Sequence, residues 1–388
     1  MIRGAIATLL FVLSCWSLPT HAQKALAPVE ARVPFAPSAF TGSDGLIHVA
    51  YELHVTNYYG DTGPLKPTGL QIFGDGAKKP LLSLDANELS QIVKPTPPEH
   101  QLASILPGKR AVIFVWITLP PGTAIPHALR HYMAFDTDKH VVTVLDGAIV
   151  QVNQEKIPVI GPPLRGGRWL AHEGPGAAQS HHWGSLVAVN GQLTIPQRYA
   201  FDLVGLDATG HAMRSSVKDI QKSAYADWIG YGADVIAVAD GVVRSARDGE
   251  EERRPLSPQP EPTSLTTNGL FGNYVVLEIG PGIFASYAHL QRGSLKVKAG
   301  DRVHRGQVLA HLGQSGNSAA PHLHFQLSNA ATFEGAEGIP YVFDNFDLLG
   351  SESEAQLFGQ GEPWRATSID HRHAQMPLND MVIQFPNQ

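Results

Sequence analysis

The sequence predicts an all-β chain of two domains, and three observations carry that expectation. The chain has 388 residues, more than one ordinary domain holds. It is rich in turn formers, with 38 Gly and 29 Pro, while hydrophobic residues make up 43% and charged residues only 16%. That balance excludes a disordered chain and a long coiled coil. Its apolar residues recur with period two, or in short runs bounded by Gly, Pro, Asn and Asp, which is the pattern of strands joined by turns. The 29 basic residues against 35 acidic ones give a net charge of −6, so no nucleic-acid partner is expected, since such a surface must be basic.

Taken in order, Arg3, the apolar stretch Ala5 to Trp16 and the small-residue site Thr20-His21-Ala22 read as a signal peptide over residues 1–22. The expectation is an exported protein, periplasmic or extracellular. The alternative is a lipid anchor at Cys15, the only cysteine, which also excludes an intrachain disulfide. The apolar run is too short to span a bilayer, and no later segment qualifies, so no stable membrane span is expected. Residues 31–152 read as an antiparallel β-sandwich-like accessory domain. Within it Ile47, Val49, Tyr51, Leu53 and Val55 alternate with His48, Ala50, Glu52 and His54, a strand with one wet face. Ala111 to Leu119 is continuously apolar, a strand buried on both sides. Two further strand-like runs flank Asp146-Gly147. The Pro/Gly stretch within 153–168 reads as a linker. Residues 169–350 read as a second β domain, with strands expected at 185–189, 192–195, 199–204, 234–239, 242–245, 273–279, 283–290, 308–312 and 322–327. Residues 247–268 read as a surface loop, and the polar tail 351–388 is left without assigned structure.

The chemistry concentrates in SAAPHLHFQL, Ser318 to Leu327. In an extended segment side chains at i and i+2 point the same way, so His322 and His324 reach one small volume, such as a metal site. Alone, that pattern is also a half-buried strand face. Its surroundings add weight: GYGADVIAVADGVV (Gly230 to Val243), GNYVVLEIGPGIFASYAHL (Gly272 to Leu290) and VKAGDRVHRGQVLAHLGQSGNSAAPHLHF (Val297 to Phe325). In this order the strings closely resemble the lysostaphin/LytM-type zinc metallo-endopeptidases, over about Gly230 to Leu327. The resemblance implies a compact antiparallel β metallopeptidase domain, one zinc ion per chain, and cleavage of peptide bonds in peptidoglycan. By position it implies that His324 is a metal ligand, and that His322 and His289, the latter in Tyr287-Ala288-His289-Leu290, are the catalytic histidines.

The family draws its remaining two ligands from an HxxxD element, and no contiguous HxxxD occurs here. The substitute lies in Ser180 to Asp202. Asn190-Gly191 between two apolar runs is a hairpin signal, and a two-residue turn there pairs Val189 with Gln192. Carried outward, that register sets His182 opposite Tyr199. Removing residues 183–198 leaves His182-Tyr199-Ala200-Phe201-Asp202, which has the HxxxD form. His182 and Asp202 are therefore the expected ligands, with His181 as the alternative if a bulge shifts the register. Two imidazoles and a carboxylate suit a catalytic zinc that keeps one position for water. No HExxH occurs, so the base and the oxyanion donor fall to His289 and His322. The family's tyrosine ahead of its first ligand has no match between Glu173 and Gln179. His304, His311, His371 and His373 stand off the matched positions and read as ordinary residues, while His172 and His211 flank the ligand segment. The expected function is a secreted zinc endopeptidase acting on peptidoglycan stem peptides or cross-bridges. The alternatives are a non-catalytic envelope module that binds peptidoglycan or activates another hydrolase, and a secreted protease for ordinary proteins. The first domain is expected to position the peptidase or to cover its groove.

Overall fold

Residues 30–151 build two antiparallel sheets in the computed structural model, which describes residues 26–139, 141–178, 180–258, 266–360 and 362–387. The expected signal peptide at 1–22, with Cys15, lies outside the described residues. One sheet orders Glu30–Arg32, Ile47–Thr56, Arg110–Leu119 and Val93–Lys94, with Ala39–Thr41 also on Ile47–Thr56. The other orders Leu82–Asp85, Leu65–Gly74, Ala128–Thr137 and Thr143–Gln151. Ile47–Thr56 and Arg110–Leu119 pair along their whole length, from Ile47 opposite Leu119 to Thr56 opposite Arg110. Val49, Tyr51, Leu53 and Val55 share a buried core with Ile113, Val115, Ile72, Met133 and Phe135. Burying one such side chain contributes about 1.5–3 kcal/mol.

The alternation in Ile47–Thr56 is real, but its polar face is not wet. His48, Glu52 and His54 are each no more than 3% exposed, and Glu52 bonds residues of the second half of the chain, Trp183 and Arg198. Ala50, Val112 and Phe114 join the same buried cluster as Trp183, Tyr199 and Phe201. Periodicity reports which residues share a face, not what covers it. The two runs expected around Asp146-Gly147 are a single strand, Thr143–Gln151. Asp146 and Gly147 pair in register with Tyr132 and His131, and a bulge follows directly, between the Gly147 and Val150 pairings.

The second half forms an eleven-stranded sheet. Its order is Val159–Ile160, Val342–Ser351, Met381–Gln384, Arg168–His172, Phe201–Leu206, Leu323–Ser328, Ile283–Ala288, Tyr274–Gly280, Gly241–Arg247 and Arg302–Val303, with Asp370–Gln375 alongside Val342–Ser351. Every stretch expected to be a strand between 185 and 327 contains one, some shortened at their ends. The tail adds two strands that the sequence did not reveal. The Pro/Gly stretch is threaded into the fold: Val159–Ile160 pairs in parallel with Val342 and Phe343, Leu164 bridges Val235, and Ile160 and Leu164 are buried. Among the described residues, no helix is long and apolar enough to cross a membrane.

Candidate metal centre

Three neighbouring strands gather the histidines. Asp202 is the second residue of Phe201–Leu206, and antiparallel pairing sets it opposite His324 on Leu323–Ser328. The next pairing sets His324 opposite Ala288, the last residue of Ile283–Ala288. His289 follows that strand end in a left-handed conformation, φ 60°, uncommon for a residue with a side chain. Its amide donates to Phe271 O at 2.9 Å. His322 immediately precedes the neighbouring strand. The His289 and His322 rings lie 4.8 Å apart, as do those of His182 and His324.

The hairpin forms in the register expected from Asn190-Gly191: Val189 pairs with Gln192, Ala188 with Leu193 and Val187 with Thr194. Asn190 and Gly191 both have positive φ, 50° and 80°, as this tight turn demands. The ladder stops at Val187, however. Residues 181–184 form a turn closed by Gly184 N–H to Ser180 O at 2.9 Å, so no ladder sets His182 against Tyr199. The turn nevertheless directs His182 inward, buried, and leaves the His181 side chain 60% exposed.

Asp202 Oδ1 is the centre of the cluster. It lies 3.4 Å from His182 Nε2, 3.3 Å from His322 Nε2 and 3.1 Å from His324 Nδ1. The opposite nitrogen of each imidazole is already committed as a donor. His182 Nδ1–H donates to Glu173 O at 2.9 Å, His322 Nδ1–H to Ala320 O at 2.7 Å, and His324 Nε2–H to the Gln326 Oε1 at 2.9 Å. His289 Nδ1–H likewise donates to Ser315 O at 2.8 Å. A neutral imidazole has one donor and one lone pair, so these rings turn lone pairs towards a carboxylate. His182 Nε2 is buried without a hydrogen-bond partner. Such converging electron pairs fit a cation, with outer hydrogen bonds fixing each tautomer.

The electrostatics separate the two adjacent histidines. Burial pushes His182 down to about 4, against the opposing pull of Asp202. Burial also depresses His289 well below the usual imidazole range, helped by His322 and His324. Burial would raise Asp202, but His322 and His182 outweigh it and hold the carboxyl well below the ordinary carboxylate range. His181 moves oppositely: burial opposes its charge, yet hydrogen bonds to Asp202 and Glu173 push it up to about 10. It pairs with Glu173 and Asp202, each at 3.4 Å. Ligand-capable atoms of His181, His182 and Asp202 all lie within 4.8 Å of one another, so position alone admits either histidine. A bare nitrogen distinguishes His182.

These groups open into a groove of about 640 Å³. Trp228, Leu256, Leu357 and Phe358 form one apolar lining, and Val187, Leu270, Phe271 and Phe333 another. Leu256 comes from the loop expected at the surface, and Leu357 and Phe358 from the tail. Every lining residue lies at or beyond His172. His172 itself bonds Asp380 at 2.8 Å. His304, His311, His371 and His373 are not among the groove residues. Sequence reasoning missed Glu173 and Gln326. They act through a loop carbonyl and a strand neighbour, and neither leaves a motif.

Comparison with known proteins finds a peptidase family's pattern over part of this half of the chain. Residues 227–334 match the sequence model described as Peptidase family M23. Among curated proteins, it is 33% identical over 95 residues to Peptidoglycan DD-endopeptidase ShyC of Vibrio cholerae serotype O1, covering 24% of this chain and 19% of that one. It is 44% identical over 96 residues to Glycyl-glycine endopeptidase ALE-1 of Staphylococcus capitis, covering 24% and 26%. The chain thus spans about a fifth to a quarter of the length of these relatives. Solved structures that align with it include the catalytic domain of lysostaphin from Staphylococcus simulans, at 22% identity, TM-score 0.24, and coverage of 44% and 86%. Another is a zinc-containing peptidase from Vibrio cholerae, at 16% identity, TM-score 0.22, and coverage of 80% and 86%.

Proposed function

We propose that this protein is an exported zinc-dependent endopeptidase that cleaves peptide bonds of peptidoglycan, in stem peptides or cross-bridges. The observation that carries the reading is the convergence of three imidazole nitrogens on Asp202 Oδ1 in the lining of a groove. The names of the relatives, a peptidoglycan endopeptidase and a glycyl-glycine endopeptidase, support the substrate class.

The donor set suits one zinc ion, held by His182 Nε2, the Asp202 carboxylate and His324 Nδ1. When bound, that ion supplies a polarised carbonyl and an acidified water. The chain's own residues do the rest. Glu173 O and Gln326 orient the two imidazole ligands. His289 and His322 each present Nε2 to the cavity with Nδ1 tied to a backbone carbonyl, so each accepts and returns a proton at Nε2. Burial of His289 keeps it neutral, which a base requires. His181 keeps its proton between Glu173 and Asp202 and balances their charge. The accessory unit 31–152 positions the peptidase domain, a role that fits its absence from the groove lining.

The test is to measure zinc in the purified protein and to identify by mass spectrometry the products it releases from wall fragments. One zinc per chain and new peptide termini are expected. A protein without zinc that binds wall fragments and leaves them intact would instead be a non-catalytic envelope module.

A further inference from the structure

Arg198 stands four residues before Asp202, where a contiguous HxxxD would carry its histidine. Its guanidinium turns away from the centre and is buried between two carboxylates from distant parts of the chain. Arg198 Nε and Nη2 donate to Glu52 Oε1 and Oε2 at 2.9 and 2.5 Å, and Nη1 pairs with Glu337. Glu52 lies on the Ile47–Thr56 strand of the first unit. Its Oε1 also accepts from Trp183 Nε1 at 2.5 Å, and Trp183 directly follows His182. The Trp183 ring packs against Phe114 and Trp116, with centroids 5.6 and 5.7 Å away. Lys94 Nζ donates to Gly184 O at 2.6 Å. One carboxylate of the first unit therefore grips both ends of the segment that separates His182 from Asp202.

We infer that Glu52 is a positioning residue for the metal centre, fixing His182 through Trp183 and the approach to Asp202 through Arg198. The inference rests on the metal-centre reading above. Its physical basis is the asymmetry of buried ion pairs. A buried pair contributes little net stability relative to apolar packing, but it tolerates few geometries, and losing one partner strands a charge. Apolar contacts alone could join the two units here. The charged grip fixes where the segment lies, and a ligand turn with no ladder behind it requires that constraint. The inserted hairpin thus has an outside anchor in place of the strand continuity that a contiguous HxxxD supplies.

The test uses the full chain. Glu52→Gln removes the charge yet can still accept from Trp183, whereas Trp183→Phe keeps a ring and removes the N–H. Tyr51→Phe is the control: Tyr51 is equally buried on the same strand but faces the other core, bonding His131 at 2.8 Å. Zinc affinity is measured by chelator competition, the ligand field by visible absorption of the Co²⁺-loaded protein, and stability by unfolding of the metal-free protein. Outer-sphere partners typically affect metal affinity by about 10–100-fold. Glu52→Gln should weaken zinc by that factor, Trp183→Phe by less, and both should shift the Co²⁺ bands. Tyr51→Phe should lower stability with affinity and bands unchanged. Wild-type affinity and bands in both test variants overturn the inference, whatever their stability, and if Glu52→Gln does not fold, Trp183→Phe decides. If His324→Ala binds zinc as the wild type does, the metal-centre reading fails first and the grip falls with it.

Discussion

At the residue scale, the state of each imidazole follows from what its far nitrogen touches. His182, His289 and His322 each donate the Nδ1–H to a backbone carbonyl and keep a lone pair on Nε2. His181, between two carboxylates, keeps its proton. Replacing His182, Asp202 or His324 by Ala should therefore lower both zinc occupancy and turnover, with a smaller effect at His181. Metal analysis checks this, and zinc lost from His181→Ala but retained by His182→Ala would reverse the assignment. His289→Ala and His322→Ala should retain zinc while losing on the order of 10²–10⁴ in rate. Full activity in either variant would remove that histidine from the chemistry. The HxH spacing and the strings around it pointed to His289, His322 and His324, and the Asn190-Gly191 hairpin pointed to His182 and Asp202. The carbonyls that fix their tautomers were not, because any residue can supply a carbonyl. A second residue-scale outcome concerns His131, buried beside Tyr51 and pushed down to about 4, first of all by burial. Between about pH 6.5 and 4 the unfolded chain takes up a proton that the folded chain refuses. Stability should then fall as pH falls through that window, by roughly 3 kcal/mol at most, and level off below it. Urea unfolding of the metal-free protein at pH 7 and 5 measures the loss. His131→Gln should lessen the slope by its own share, since burial depresses His54, His182 and His289 as well, and an unchanged slope would put the proton uptake on those groups.

At the element scale, two loops hold His289, and each is backed by a glycine. Gly272 and Gly316 have φ of 67° and 75°, and a Cβ on either would lie 2.4–2.5 Å from the other's backbone nitrogen. Phe271 O and Ser315 O, one from each loop, are the acceptors that fix His289. Gly316→Ala should destabilise the protein by more than about 1 kcal/mol and depress kcat, since the loops must separate. Denaturation and steady-state rates test both parts; wild-type stability would mean that the contact can relax without cost. The same scale explains uneven legibility. The hairpin was readable from Asn190-Gly191 because left-handed turn residues are chemically distinctive. Leu65–Gly74 was not, since Pro67 and Gly69 sit at a bulge in its pairing and read as breakers. Asp370–Gln375 is mostly exposed and polar, with no apolar alternation to detect.

At the scale of the whole molecule, the largest departure from the sequence reading is the polar face of Ile47–Thr56. Glu52 there looked like a solvated residue because its partner Arg198 lies 146 residues away, a distance local pattern cannot bridge. With that face covered by Trp183, Tyr199 and Arg198, the two halves share buried surface. Residues 153–388 produced alone should therefore bind zinc more weakly and turn over more slowly than the full chain. Equal zinc affinity and turnover in the two forms would make the first unit dispensable to the peptidase.

The strand Met381–Gln384 lies between Val342–Ser351 and Arg168–His172. It is synthesised after every other strand of the sheet yet occupies an interior place in it. Until it emerges, its two neighbours have no ladder to join them, and Arg168–His172 is the direct partner of the strand bearing Asp202. The sheet that carries the centre is thus completed only by the chain's later segments. A chain cut short before that strand would carry Asp202 on a sheet missing one of its interior members.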